Sequence, residues 1–274
     1  MARNYYYLVA GLPELALERG RKEFNVCALR DEVRELISPS DYKLVEQLFL
    51  PFDNDNLLNV LLNRGMQNSP LGTLPVELFA DLEGHAELMP PYMQRFYQGH
   101  INANPDEQQA HPELRLMEAF YAQALTSKNP FLKRWFAFNR DLNNILTAIN
   151  CRRMGIEVNG QLLGDGPIVE ALQRSQAADF GLRQEVDYID RLLQLAELPD
   201  VAERERRIDL LRWDMATELS TWDYFNVNFI LAFLAKAIIL HRWAAIDSQQ
   251  GNQMFDKLFA DLKASFSMEQ AFGK

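Results

Sequence analysis

The sequence predicts an all-α fold, a multi-helix bundle assembled from two or three helical units. Apolar residues recur at steps of three and four along most of the 274 residues, the period of a helix with one buried face. Prolines and glycines punctuate those stretches where helices start and stop. The hairpin signal is confined to IEVNGQLL at 156–163, where Asn159-Gly160 between alternating residues marks one tiny β-hairpin.

The strongest element spans 130–154, PFLKRWFAFNRDLNNILTAINCRRM. Phe131, Trp135, Phe138, Leu142, Ile145 and Ile149 form its stripe, at alternating steps of four and three. Pro130 suits a first turn, which has no partner for an amide hydrogen. Gly155 suits the left-handed residue that ends a helix. Arg152 and Arg153 sit in the last turn, where the helix dipole favours cations. Arg134, Arg140, Asn143, Asn144 and Asn150 occupy the other face. Such a helix runs roughly 35 Å at 1.5 Å per residue.

Around it the chain reads in order. Tyr5-Tyr6-Tyr7 open a short strand or a helix that Gly11 and Pro13 end, and Gly20 and Lys22 mark a turn. A helix over 24–37 stops at Ser38-Pro39-Ser40-Asp41, which caps a second over 41–50. Pro51 breaks that one, and a third follows over 54–63. Short helices begin near Pro75 and Pro91, and the polar run at 102–111 is a linker. The linker divides an N-terminal unit, 1–104, from a C-terminal unit, 105–274, or interrupts one continuous domain. Beyond it come helices over 112–128, 130–154, 168–173, 182–198 and 200–219. A second long helix, 221–247, carries Trp222, Phe225, Phe229, Phe233, Ala237, Leu240 and Ala244 as its stripe, and a last helix spans 252–266. NILTAI at 144–149 resembles NFILAF at 228–233, as duplicated units or shared packing demands would both produce.

The totals narrow the function. A net charge of −10 and a sequence pI near 5.0 speak against nucleic acid and anionic lipid as partners, and suit a basic protein surface. The longest apolar run, 229–235, is broken by Lys236 and is too short to span a bilayer, so a cytoplasmic protein is expected. Cys27 and Cys151 read as separate reduced thiols. No phosphate-binding glycine loop and no metal motif is present, and the four histidines lie on separate segments, so no cofactor is expected. Asp214, Glu218 and Asp223 gather acidic groups near a helix end, as acid–base chemistry or a helix dipole would ask. Arg204, Arg206, Arg207 and Arg212, among Glu203, Glu205 and Asp209, form a solvated helix face or a docking surface. The asparagines of the long helices read as packing devices that bond across to neighbouring segments.

FNRDLNNILTAINCRRMG at 138–155 resembles a pattern in the C subunit of archaeal-type and vacuolar-type rotary ATPases, known as the d subunit in eukaryotes. The matching positions are Asp141, Asn144, Ile145, Arg152, Arg153 and Gly155. FILAFLAKAIILHRW at 229–243 looks like that family's C-terminal helix, through Ile230, Leu231, Ala232, Phe233 and Lys236. NYYYLVAGLPEL and SDYKLVEQLFLPFDNDN resemble, more closely, a bacterial family that accompanies vacuolar-type ATPase subunits and stands in the place of the C subunit. The C subunit itself is longer and has three similar helical units, whereas two candidate units are visible here.

The resemblance implies a non-catalytic coupling part. It would link the central stalk to the membrane proteolipid ring, bind no nucleotide, and lie on the cytoplasmic face of the membrane through its protein partners. Arg134, Arg140, Arg152 and Arg153 are then the candidate partner contacts. A general helical adaptor and an enzyme with a pocket around Asp214, Glu218 and Asp223 are the alternatives.

Overall fold

The computed structural model describes residues 4–15, 25–104 and 111–246. Its helices, in order, are α1 (Tyr6–Gly11), α2 (Val26–Leu36), α3 (Pro39–Leu61), α4 (Val76–Ala80), α5 (Pro91–Ile101), α6 (Pro112–Ala124), α7 (Pro130–Met154), α8 (Pro167–Arg174), α9 (Ile189–Ala196) and α10 (Val201–Leu219). The last described helix is α11 (Val227–Ile246). Among the described residues there is no strand, and the fold is all-α. The helix expected over 252–266 and the middle of the 102–111 linker lie outside the described residues, as does the turn at Gly20 and Lys22.

Local chemistry sets most of the boundaries. Asn25, Ser38, Asn129 and Asp200 each cap a helix, their side-chain oxygens accepting amide hydrogens of the first turn. Gly155 closes α7 at φ 66°, the left-handed conformation a side chain disfavours. Helix α7 packs against α6, α8, α9 and α10, and α6 packs in turn on α3 and α5. Phe131, Leu132, Leu142 and Ile145 are almost fully enclosed. The buried side chains form one cluster from Leu8 to Ala237.

Four expectations are corrected. Pro51 does not break a helix, because α3 runs through it. Leu48, Phe49 and Leu50 before it and Leu57 and Leu58 after it are buried, so packing on both sides offsets a proline cost of about 3 kcal/mol. The 156–163 hairpin is a turn, with Gly160 at φ 74° and the Gln161 amide donating to the Val158 carbonyl. Its flanks cannot pair as strands because Asn144 takes both backbone groups of Leu163. The Leu163 amide donates to Asn144 Oδ1 at 2.8 Å, and Asn144 Nδ2 donates to the Leu163 carbonyl at 3.0 Å.

The helix expected over 182–198 is shorter, α9 alone. Residues 178–188 form successive turns that bury Phe180, Leu182 and Val186 without a regular period. The helix expected over 221–247 starts at Val227. Asn226 caps it, its Oδ1 accepting from the Asn228 and Phe229 amides, while Asp223 accepts from the side-chain amides of Asn226 and Asn228, in place of another helical turn. Trp222 and Phe225 therefore leave the expected stripe, and Ala244 is exposed.

Helix α11 is long and apolar enough to cross a bilayer by length and mean hydropathy, 1.8 over its best window. In this fold Ile230, Leu231, Ala232, Phe233, Leu234 and Ala235 are all buried against the rest of the chain. It runs antiparallel to α10: Lys236 lies over the Trp213 ring, and Arg242 reaches back to Glu205 and Asp209. Helix α7 is also antiparallel to α10, since Arg134 pairs with Glu218 while Asn139 meets Arg212.

Candidate functional site

The two long helices begin side by side. Asn129, the cap of α7, donates to the Asn228 side chain at 2.7 Å in the first turn of α11. The turn between α10 and α11 lies at this end, and the N-terminal segment closes onto it. The Tyr5 amide donates to the Phe225 carbonyl at 2.6 Å, and the Tyr6 and Phe225 rings stand 4.6 Å apart. The Tyr5 hydroxyl bonds Asp41 and Ser38 at the start of α3.

This construction leaves aromatic surface in water. Trp222 and Tyr7 are each 84% exposed, and Tyr6, Tyr224 and Phe225 are exposed too. These five are the exposed aromatic side chains among the described residues, and all belong to two segments joined by the Tyr5–Phe225 bond. Large apolar side chains left in contact with solvent and grouped at one place mark an interaction surface. Trp and Tyr supply contact area together with a polar tip, and they dominate the residues on which interfaces depend. No periodicity could have found this patch, because Trp222 and Phe225 fit a helical stripe on paper.

The sequence-derived arginines separate into three settings. Arg134 lies near the aromatic end, mostly exposed, with Glu218 at 3.9 Å. Arg140 is mostly buried and pairs with Asp141 at 2.8 Å. Burial raises the Asp141 carboxyl, against the pull of Arg140. Arg152 and Arg153 lie at the far end of α7, eighteen residues or about 27 Å along the axis from Arg134. Arg152 lies 3.8 Å over the Phe180 ring and donates to the carbonyls of Ser175 and Ala177. Arg153 donates to the Ala196 carbonyl at 3.4 Å and to Asn150 at 2.9 Å. The four do not form one patch.

The remaining motif positions pack and cap. Asn144, Ile145, Ile230, Leu231, Ala232 and Phe233 are buried, and Gly155 is the helix terminator. Lys236 is pushed below the ordinary lysine range by burial, with Asp214 pulling the other way. Asp214, Glu218 and Asp223 are each engaged elsewhere, by Arg191, by Arg134, and by Asn226 with Asn228. Among the described residues no group of three His, Cys, Asp or Glu side chains is placed to hold a metal.

Sequence reasoning missed the polar knot between α7, α10 and α11. Asp209, 2% exposed, accepts from Arg212 at 2.7 Å, Arg242 at 3.0 Å and the Trp243 indole at 2.9 Å. Arg212 donates onward to Asn139 and Asn143, both at 3.2 Å. On the sequence, Asp209 is one of the charges of a solvated helix face or a docking surface. Glu203 and Arg207 do make that solvated pair, one turn before. The signal was the apolar stretch through Ile208 and Leu211, which turns Asp209 and Arg212 toward the other helices.

No curated protein matches this chain. A family model described as "Protein of unknown function (DUF2764)" matches residues 1–266, nearly its whole length, and the chain belongs to that family.

Proposed function

We propose that this chain is a non-catalytic coupling component of a vacuolar-type ATPase, a spacer between the central stalk and the membrane proteolipid ring. The observation that carries the reading is the aromatic end. Tyr6, Tyr7, Trp222, Tyr224 and Phe225 are exposed where α7 and α11, the two helices with a likeness to the rotary-ATPase C subunit, begin together. A spacer must also resist twisting. The Asp209 knot ties three helices through charge-assisted hydrogen bonds, and such bonds are directional and stronger than neutral ones. In this reading the aromatic end seats on a protein partner, on the cytoplasmic side, and the helical body carries torque to the ion-translocating rotor.

A tagged chain, added to detergent-solubilised native membranes and recovered, tests the reading. Stalk and proteolipid subunits should accompany it, and Trp222→Ala with Tyr224→Ala should reduce their recovery at least tenfold. Both side chains are exposed, so circular dichroism and melting of the double variant should match the parent. If no ATPase subunit is recovered while a known stalk protein retrieves the complex, the coupling role is lost. Full recovery with the double variant would move the contact elsewhere.

A further inference from the structure

The far end of α7 opens into a groove of about 540 Å³ between α7, α9 and the turns after α8. Ile149 and Leu193 give it apolar walls, Phe180 lies buried beneath Arg152 at its floor, and Arg152, Arg153 and Glu197 supply the charged groups. We propose that this groove is a docking site for an acidic amphipathic helix of a partner protein. The proposal does not depend on the coupling reading, since the groove lies at the opposite end of α7 from the aromatic surface.

Charge identifies the occupant. The chain carries a net −10, so most of its surface repels an acidic segment, yet here two guanidinium groups face one carboxylate. Both guanidiniums are positioned in advance. The Phe180 ring and the 175 and 177 carbonyls hold Arg152, while the Ala196 carbonyl and Asn150 hold Arg153. Little side-chain freedom is therefore left to lose on binding. A guanidinium has five N–H donors, and each of these uses only some of them internally. The rest suit carboxylates, which planar guanidinium recognises better than an ammonium does. The apolar walls ask for side chains three and four residues apart on the same segment, the pattern of a helix laid in a groove.

A phage library of 16-residue peptides, panned against the full-length chain, tests this. Enriched peptides should share apolar residues at three- and four-residue steps flanked by Asp or Glu. A fluorescein-labelled peptide of that consensus, followed by anisotropy, should bind at least tenfold more weakly to Arg153→Glu and to Gln194→Glu. It should bind more tightly to Glu197→Gln, and more weakly as salt rises. Gln194 is an exposed residue of the lining, so its variant should keep the parent fold even where Arg153→Glu does not. The absence of a consensus, a basic or uncharged consensus, or binding indifferent to Gln194→Glu would each overturn the proposal. So would a photo-crosslinker at position 194 that joins the free chain to its own residues 247–274, because the groove would then have an internal occupant.

Discussion

Asn144 and Leu163 exchange two hydrogen bonds inside the core, and the pair holds the 156–163 turn on α7. Asn144→Ala would leave an amide and a carbonyl buried without partners. Each such group costs about 1–3 kcal/mol, so urea denaturation should show a loss of about 2–6 kcal/mol. Asp209→Ala removes the buried acceptor that Arg212, Arg242 and the Trp243 indole share, leaving Arg212 only Asn139 and Asn143 and Arg242 only Glu205. Removing one partner of a buried ion pair costs about 3–5 kcal/mol, and the same measurement checks it. Asp53 gives a pH signature. It is fully enclosed and accepts from the Thr73 amide and hydroxyl and from the Leu74 amide. Burial still raises its carboxyl above the ordinary value, with those bonds opposing. A raised carboxyl binds its proton more tightly in the folded state, so its contribution to stability falls as pH rises from about 3.8 through the raised value. Asp53→Asn lacks that fall. The stability of the parent minus that of the variant should therefore shrink between pH 4 and pH 7 in urea titrations.

At the scale of elements, Pro51 is the informative case. Helix α3 carries it internally, without the hydrogen bond its nitrogen would have made. Pro51→Ala restores that donor and relieves the ring, and should raise stability by about 1–3 kcal/mol, read as a higher melting temperature. The bounds of helix α7 were legible, because Pro130, the apolar steps and Gly155 all agree on one helix. The stretch at 156–163 misled, because Asn159-Gly160 specifies a turn but not what its flanks bond to. Two residues of tertiary structure, Asn144 and Leu163, decided that. The start of α11 misled for a related reason. Periodicity counts Trp222 and Phe225 as helical, while a local competition between Asp223, Asn226 and Asn228 ends the turn before the helix begins. The all-α class needed only period and punctuation. Neither the knot at Asp209 nor the joining of the N-terminal tyrosines to Phe225 was legible, since each ties segments far apart in sequence: Asp209 with Arg242 and Trp243, and Tyr5 with Phe225.

Across the whole molecule, the three helices α7, α10 and α11 lie antiparallel in turn and share the Asp209 knot, with an aromatic surface at one end and an arginine-lined groove at the other. In the proposed role such a body would carry force along its axis, with a separate surface at each end. Coupling through the aromatic end is the central claim, and site-directed photo-crosslinking tests it most directly. A benzoylphenylalanine at position 222, in the full chain bound to native membranes, should crosslink to a stalk or proteolipid component of a vacuolar-type ATPase. The same group at Glu118, exposed on α6 at the level of the middle of α7, should not. Crosslinks from position 222 to unrelated proteins only, or none from either position in membranes that hold the assembled ATPase, would contradict the account.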